Sequence, residues 1–297
     1  MDVLPTELLL VIADSLPIID RISFLSLNCY LNNLKSIILF NDAVSYNKIL
    51  NLDYLNQFTN VIFDTEMVIK IPKNLKKIQF TNYIRDCYTL RLIINRLKTL
   101  NGYGDTFGII ESLPLTLTSI NFPNHFNRTI NLTSFQLLTE ITFGNTFNEP
   151  IKGLLPPFLT SLTFGHNFNQ LIQGALPESL VSLTFGCDFN QLIQEMLPNL
   201  LVNLTFGIRF NKPIEGILPN SLINLSFGDF FDQPIRGNLP NSLVKLNFGY
   251  GFAQEIRDAI PLNVKFLTLP YYYSWNSCVF PKDCEVELLD SEMEEVD

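Results

Sequence analysis

The chain has 297 residues, of which 47% are hydrophobic and 16% charged, and its formal net charge is −9. This apolar content can form a packed core and argues against disorder over most of the length, while the acidic balance argues against a nucleic-acid-binding surface. The longest apolar run, residues 8–13, is far shorter than the ~20 residues of a membrane span, so we expect no membrane partner.

The N-terminal segment, residues 1–45, predicts two short helices. Leu8, Ile12 and Leu16 follow one another at every fourth position and share one helix face. Pro17 ends that helix, and Asp20 is placed to cap a second. From periodicity alone, these helices could simply shield the end of a core that the rest of the chain forms.

The same segment, residues 1–45, resembles the F-box. The residues that carry the resemblance are Leu4-Pro5-Thr6-Glu7-Leu8, Ile12, Leu16-Pro17, Asp20, Leu25-Ser26-Leu27 and Cys29. The tryptophan often found near the end of an F-box is absent, and residues 30–34 stand in its place. The resemblance implies docking on the Skp-type adaptor of a cullin–RING ubiquitin ligase, through Leu4, Pro5, Leu8, Ile12 and Leu16.

Residues 46–112 predict degenerate repeats that act as an N-terminal cap. Pro72, Leu75, Ile78 and Phe80 match a pattern that recurs further along the chain. The interval from Pro72 to Pro114 is twice the period found there. We expect the repeats to begin near residue 50.

Residues 113–269 repeat with a period of 21. The phenylalanines of one column are Phe122, Phe143, Phe164, Phe185, Phe206, Phe227 and Phe248. One such unit buries too few apolar side chains to offset the ordering of its backbone, so neighbouring units must stack. Prolines at 150, 213 and 234 argue against a long helix between strands. The pattern predicts a solenoid with one short strand per repeat in a parallel sheet and mostly non-helical return limbs.

Within each unit, polar and apolar residues alternate up to a glycine, as in residues 224–228. The alternation predicts a half-buried strand, and the glycine implies either a positive φ or a close approach of two backbones. An asparagine column predicts an internal ladder that satisfies backbone groups of the turns. Its members are Asn127, Asn148, Asn169, Asn190, Asn211 and, in the same position, Asp232.

Two patterns in this region resemble known repeats. The spacing Leu-x-x-Leu-x-Phe resembles the strand of the leucine-rich repeat, and Phe-Asn-x-Pro-Ile resembles the FNIP repeat, a relative found in amoebae and their giant viruses. The asparagine lies beside the second phenylalanine rather than at the usual leucine-rich-repeat position. The resemblance implies a leucine-rich-repeat-like solenoid, and an F-box followed by FNIP repeats is a recurring pairing.

Residues 270–297 depart from the repeat. Residues 271–275 are rich in aromatic side chains and predict a cap over the last repeat, with an acidic mobile tail from Glu285.

The two residues that follow each strand-ending glycine vary in chemistry while the other columns are nearly fixed. We call these positions the rim. Solenoids commonly bind partners across such surfaces, although simple solvent exposure would also explain the variation. The candidate target-binding residues are His166, Asp188, Arg209, Asp229, Phe230 and Tyr250.

No catalytic or metal-binding pattern emerges. His166 and Cys187 are separated by one period and would be neighbours, and an imidazole can activate a thiol. However, the column continues with Ile208, Asp229 and Tyr250, which is typical of an unconstrained position. The five scattered cysteines and two histidines do not form a disulfide or zinc pattern. We expect a protein without catalytic residues, metal or cofactor.

Together the two resemblances imply a substrate-receptor subunit of a cullin–RING ubiquitin ligase, with the Skp-type adaptor and an unknown target protein as its partners. The alternative is an interaction scaffold whose N-terminal helices only cap the solenoid. Because no basic segment precedes the first apolar run, we expect a cytoplasmic protein, in the host cytoplasm if the source is a virus.

Overall fold

A computed structural model describes residues 13, 15–26, 35, 39–49, 51–52, 54–63, 72–80, 113–195, 197–273 and 280–290. The chain divides into two compact units, Met1–Ile120 and Asn121–Asp297. Most of the F-box-like pattern, including Leu4, Pro5, Leu8 and Ile12, lies outside the described residues. No helix in the described ranges is long and apolar enough to cross a bilayer.

The first unit contains short helices and parallel strands. Its elements are α1 (Ile18–Leu25), β1 (Val44–Ser45), α2 (Tyr46–Ile49), a 3-10 turn (Leu55–Gln57), β2 (Asn60–Phe63) and β3 (Lys77–Phe80). Strands β1, β2 and β3 pair in sequence order, and both pairs are parallel. The predicted strand around Ile78 is therefore confirmed.

The start of α1 differs from the prediction. Pro17, with φ −53° and ψ 152°, is the N-cap residue, and no side chain caps the helix. Asp20 lies within the helix, so the prediction that it caps the helix is wrong. Proline suits this end because the first helical N–H groups have no partner inside the helix.

The repeats of the first unit are shorter than the predicted template. Val44 pairs with Val61 and Val61 with Ile78, so successive strands follow at an interval shorter than the period of the later repeats. The first described strand also begins before residue 50, where the sequence placed the first repeat. The shorter interval reflects short connections between these strands, which the longer template could not detect.

The second unit is a parallel-sheet solenoid. A short strand, β4 (Ser119–Asn121), contains the boundary between the units. The following strands are β5 (Glu140–Thr142), β6 (Ser161–Thr163), β7 (Ser182–Thr184), β8 (Asn203–Thr205), β9 (Asn224–Ser226), β10 (Lys245–Asn247), β11 (Phe266–Leu269) and β12 (Glu285–Leu288). From β5 to β12, each strand pairs in parallel with the next.

The residue offset between paired strands equals the period of the sequence. Leu183 of β7 pairs with Leu204 of β8, and the same one-period offset holds for each pair from β5 to β11. The middle residue of the three-residue strands is buried while its neighbours are more exposed. Turns, not helices, connect the described strands of this unit. The predicted fold of these repeats is confirmed.

Two stacks of phenylalanine rings fill the core of the second unit. Phe185 lies 5.5 Å from Phe206 of the next repeat, with ring planes 7° apart. Phe189 of the second column lies 6.0 Å from Phe210. Within one repeat, the rings of Phe185 and Phe189 are 3.9 Å apart. Each ring therefore contacts neighbours in its own repeat and in the next, which ties the stability of one repeat to the other.

The strand-ending glycines are required by close backbone approach. A Cβ atom on Gly186 would lie 1.7 Å from the carbonyl oxygen of Gly165. Positive φ occurs instead in a second glycine column on the return limb, at Gly153, Gly174, Gly216 and Gly237. The sequence left positive φ and close approach as alternative explanations of the strand-ending glycines. The structure shows that close approach is the reason.

The C-terminal residues extend the repeat further than predicted. Tyr273 occupies the position one period after Phe252, and its ring stacks on Phe252 at 6.0 Å. Residues 285–288 form β12, whose Val286 pairs with Leu267 of β11. The expectation of a mobile tail from Glu285 is therefore wrong for these residues, because main-chain pairing with β11 orders them.

Candidate interaction surface

The asparagine column forms the predicted ladder beneath the rim. Asn148 Oδ1 accepts a hydrogen bond from the Asn169 N–H at 2.9 Å, and Asn169 Oδ1 accepts one from the Asn190 N–H at 3.0 Å. The series continues to Asp232, whose Oδ1 accepts from the Ala253 N–H at 3.0 Å. These bonds satisfy backbone donors of the turns and confirm the predicted role.

The main chain of the rim is fixed by a second ladder. In the central repeats, the N–H of the second rim residue donates to the carbonyl of the first rim residue in the preceding repeat. Asp188 N–H donates to the His166 carbonyl, Arg209 N–H to the Cys187 carbonyl and Phe230 N–H to the Ile208 carbonyl, each at 2.9 Å. The rim side chains can therefore vary without disturbing the backbone that carries them.

A charged cluster occupies the middle of the rim. Asp188 Oδ2 lies 3.5 Å from His166 Nδ1, and Asp188 Oδ1 lies 3.3 Å from Arg209 Nε. The Asp188 side chain is 26% exposed, whereas the other two are more than half exposed. The Asp188–Arg209 ion pair and the Asp188–His166 contact are open to water and contribute little to stability, so these groups can exchange partners when a ligand binds.

Aromatic residues follow towards the C-terminal repeats. Phe230 is 59% exposed. Asp229 Oδ1 accepts a hydrogen bond from the Tyr250 N–H at 3.2 Å. The sequence predicts all three as rim residues, and the structure brings them together in adjacent repeats.

Two further rim residues were missed. Tyr271 and Tyr272 lie one period after Tyr250 and Gly251 and are 51% and 50% exposed. The sequence pattern places them in the aromatic cap, because Pro270 stands where the six preceding repeats carry glycine. Continuing the count by one more period would have placed them on the rim.

The Tyr272 side chain closes this end of the rim. Its hydroxyl donates to the carbonyl of Tyr250. Burial raises the pKa of Tyr272, and the charges of Asp232 and Tyr271 raise it further. The rings of Tyr271 and Tyr272 meet edge to face at 5.4 Å. This phenol stays protonated at neutral pH, which keeps its hydroxyl a donor.

The structure places His166 and Cys187 in adjacent repeats, and the contacts of the His166 ring are with other side chains. His166 Nδ1 is 2.9 Å from Asn167 Oδ1, in addition to its approach to Asp188. Cys187 is a free, half-buried thiol. In the described part of the chain, no group of three or more His, Cys, Asp or Glu side chains is arranged to hold a metal ion.

Of the predicted adaptor-binding residues, the structure describes Leu16 alone. Leu16 is half-buried, and its carbonyl accepts a hydrogen bond from Arg21 Nη2 at 3.0 Å. Arg21 Nε also donates to the Ala13 carbonyl at 2.7 Å, and its Nη1 lies 3.5 Å from Asp42 Oδ2. This buried guanidinium holds the backbone just before α1 in place.

Comparison with known proteins agrees with this architecture. Residues 147–188, 189–230 and 231–272 match the FNIP repeat family, and each match spans two units of the period. A giant-virus protein, CroV588, described as a novel circular LRR protein structure, is 37% identical with a TM-score of 0.61. The alignment covers 73% of this chain and 31% of that one, so the chain spans about a third of its length. None of the curated proteins matches the chain significantly.

The fold and the rim thus define a leucine-rich-repeat-like solenoid. More narrowly, residues 147–188, 189–230 and 231–272 carry FNIP repeats.

Proposed function

We propose that the protein is a substrate-receptor subunit of a cullin–RING ubiquitin ligase, in which the rim binds the target protein. The observation that supports target binding is that the rim has a fixed main chain and variable side chains. Its main chain is held by a hydrogen-bonded ladder, while its exposed side chains include charged, apolar and aromatic types. A rigid scaffold with variable exposed side chains suits recognition of a protein surface.

The ligase role is supported by the F-box-like pattern of residues 1–45. Apolar side chains at Leu4, Leu8 and Ile12 would enter a groove of the Skp-type adaptor. The rim would then hold the target where a separate conjugating enzyme reaches its lysines. The contribution of this chain to the chemistry is proximity, and none of its own residues forms or breaks a bond.

A pull-down with the Skp-type adaptor tests the N-terminal half of the proposal. The double variant Leu8→Asp, Ile12→Asp should lose adaptor capture, because charged side chains cannot be buried in an apolar groove. The matched control is Leu262→Asp, at a position almost fully exposed in the repeats. Failure of the unaltered chain to capture the adaptor would leave the scaffold alternative.

Charge reversal tests the target-binding half. Asp188→Lys with Arg209→Glu keeps the net charge and the local pairing but reverses the pattern presented to a partner. Proximity labelling in host cells should lose the partners found with the unaltered chain. The control reverses Lys152 and Glu215, exposed residues of the return limb, and should retain them. Equal labelling by the two variants would show that the rim does not bind the target.

A further inference from the structure

One face of the sheet changes its chemistry at the C-terminal strands. The first residue of each strand from β6 to β9 lies on the face that points away from the core, and these residues are neutral and polar: Ser161, Ser182, Asn203 and Asn224. The next three strands carry Lys245, Phe266 and Glu285 in register with that column. Because neutral residues satisfy the fold in the earlier repeats, these three departures are not required by it.

Phe266 is a large apolar side chain on this otherwise polar face. It is 47% exposed, whereas Leu267, the next residue of β11, is 1% exposed and packs in the core. Successive strand residues point to opposite faces, so Thr268 lies on the same face as Phe266. The ring is therefore open to a partner and adds nothing to the core.

Unpaired charges of opposite sign flank this ring. Lys245 lies one strand before Phe266, and Glu285 lies one strand after it. Glu287 shares the face of Glu285 and pairs in register with Thr268. Within the described ranges, none of these three charged side chains forms an ion pair. The face thus presents positive charge on one side of the ring and negative charge on the other.

These side chains line an open recess in the sheet face. Its volume is about 490 Å³, and its lining includes Lys245, Phe266, Thr268, Glu285 and Glu287. A space of this size admits several side chains of a partner. We call it the charged recess.

The spacing of the three strands matches one face of a helix. Neighbouring strands are ~4.8 Å apart, so the main chains at Lys245 and Glu285 are about 10 Å apart. Helix residues i, i+4 and i+7 lie on one face, at about 6 and 10.5 Å along the axis. Three residues on one face of an extended chain span about 14 Å instead. A helix laid across the strands therefore brings successive side chains to the three positions, and an extended chain does not.

We propose that the charged recess binds a helix of a partner protein that presents an acidic, an apolar and a basic side chain on one face. The acidic side chain pairs with Lys245, and the apolar one packs on Phe266. The basic side chain donates charge-assisted hydrogen bonds to Glu285 and Glu287. A wholly basic partner would meet Lys245 with like charge, and a wholly apolar one would desolvate three charges without compensation. The inference goes beyond the proposed function, since the recess lies on the strands and not on the rim.

Binding of a helical peptide to the full chain tests the proposal. The probe is the end-capped, fluorescent mixed peptide Ala-Ala-Gln-Ala-Glu-Ala-Ala-Ala-Leu-Ala-Ala-Arg-Ala-Gln-Ala-Ala, whose glutamate, leucine and arginine share one helix face. The matched peptide carries a second arginine in place of the glutamate. Fluorescence anisotropy should show about fivefold tighter binding of the mixed peptide. The net charge of the chain, −9, would by itself favour the more basic peptide.

Lys245→Glu should reverse this preference, because it replaces the positive charge of the recess with a negative one. Glutamate already occupies the same column at Glu140, so the strand accommodates it. The control is Lys152→Glu, which makes the same change in net charge at an exposed position of the return limb and should keep the preference. A reversal includes a gain of binding, which an unfolded variant cannot produce.

Phe266→Asn tests the apolar contact. Asparagine occupies this column at Asn203 and Asn224, so the substitution keeps a residue that the fold already uses there. Loss of the ring should weaken binding of the mixed peptide about tenfold.

Four results would overturn the proposal: no binding of the mixed peptide, equal binding of the two peptides by the unaltered chain, the same preference in Lys245→Glu and Lys152→Glu, or undiminished binding by Phe266→Asn. The proposed function is separable from it. Partner labelling that depends on Asp188 and Arg209 tests the rim alone, so either proposal can fail while the other stands.

Discussion

Two glycine columns of the repeat differ in what an added side chain would cost. Gly186→Ala places a Cβ 1.7 Å from a carbonyl oxygen of the preceding repeat. The backbone of neither repeat can move away without breaking the register of the sheet. We expect a loss of more than about 4 kcal/mol in the free energy of unfolding, or an insoluble protein. Urea unfolding followed by circular dichroism measures it.

The matched variant is Gly174→Ala, where φ is +61° and the nearest atom to the added Cβ is a Lys152 side-chain carbon at 3.7 Å. Only the left-handed backbone opposes that substitution, which costs about 1–2 kcal/mol. If the two variants were equally stable, close approach would not be the reason for the strand-ending glycines.

A side-chain amide at Asn169 satisfies donors of the following repeat. Its Oδ1 accepts from the Asn190 N–H and from Gln191 Nε2, both at 3.0 Å. Asn169→Ala leaves the backbone donor without its partner and should lower the free energy of unfolding by about 1–3 kcal/mol. Faster hydrogen exchange of the Asn190 amide would locate the effect.

Asn169→Asp is the control, since Asp232 already performs this role with a carboxylate. It should retain most of the stability that the alanine variant loses. A protein equally destabilised by both substitutions would show that shape, and not the acceptor oxygen, determines this column.

At the scale of the strand, β12 ends the described sheet and carries negative charge. Glu285 and Glu287 are exposed, and Leu288 is 39% exposed. Charged side chains on a terminal strand discourage pairing with another chain. The variant Glu285→Thr, Glu287→Thr should therefore associate at micromolar concentrations while keeping its fold. Light scattering coupled to size-exclusion chromatography measures the association.

Glutamates elsewhere in the solenoid provide the comparison for β12. Glu140→Thr with Glu215→Thr changes the net charge equally but leaves the terminal strand acidic, and this variant should remain dispersed. Association of both variants would assign the effect to net charge rather than to the strand edge.

The sequence predicts those strands whose spacing equals one period. Strands β5 to β11 follow at that spacing, so column counting finds both the strand and its register. Strand β12 pairs at a shorter offset, with Val286 beside Leu267, and strands β1 to β3 follow at a shorter one still. For β1, β2 and β12 the connections differ in length while main-chain pairing persists, so counting by one period does not find them. Strand β3 is found because Ile78 and Phe80 match the pattern of the later repeats.

The rim residues, too, could be predicted only where the repeat pattern is complete. His166, Asp188 and Phe230 were found because the glycine before each rim pair is present. Tyr271 and Tyr272 were missed because Pro270 replaces that glycine. The contacts of Asp188 with His166 and Arg209 follow from the one-repeat offset, but their distances depend on side-chain conformations that spacing does not determine.

For the molecule as a whole, the second unit behaves as a series of equivalent layers. Each ladder, ring stack and strand pair joins one repeat to the next, as Phe206 does to Phe185 and Phe227. Stability in such an arrangement is approximately a sum over repeats and the interfaces between neighbours. A whole repeat can then be removed without loss of the fold, provided that the register is kept.

Excision of residues 189–209 tests this equivalence. The deletion joins Asp188 to Phe210, so a rim residue is still followed by the second phenylalanine of a repeat. We expect a folded protein whose urea unfolding remains cooperative, with the m-value of the second unit lower by roughly a tenth because less surface is buried.

Excision of residues 189–198 alone is the control. It removes about half a period, places the residues of β8 at return-limb positions and should prevent folding of the unit. If both deletions folded equally well, stacking in register would not be what stabilises the solenoid, and the rim would have no fixed backbone on which to present its side chains.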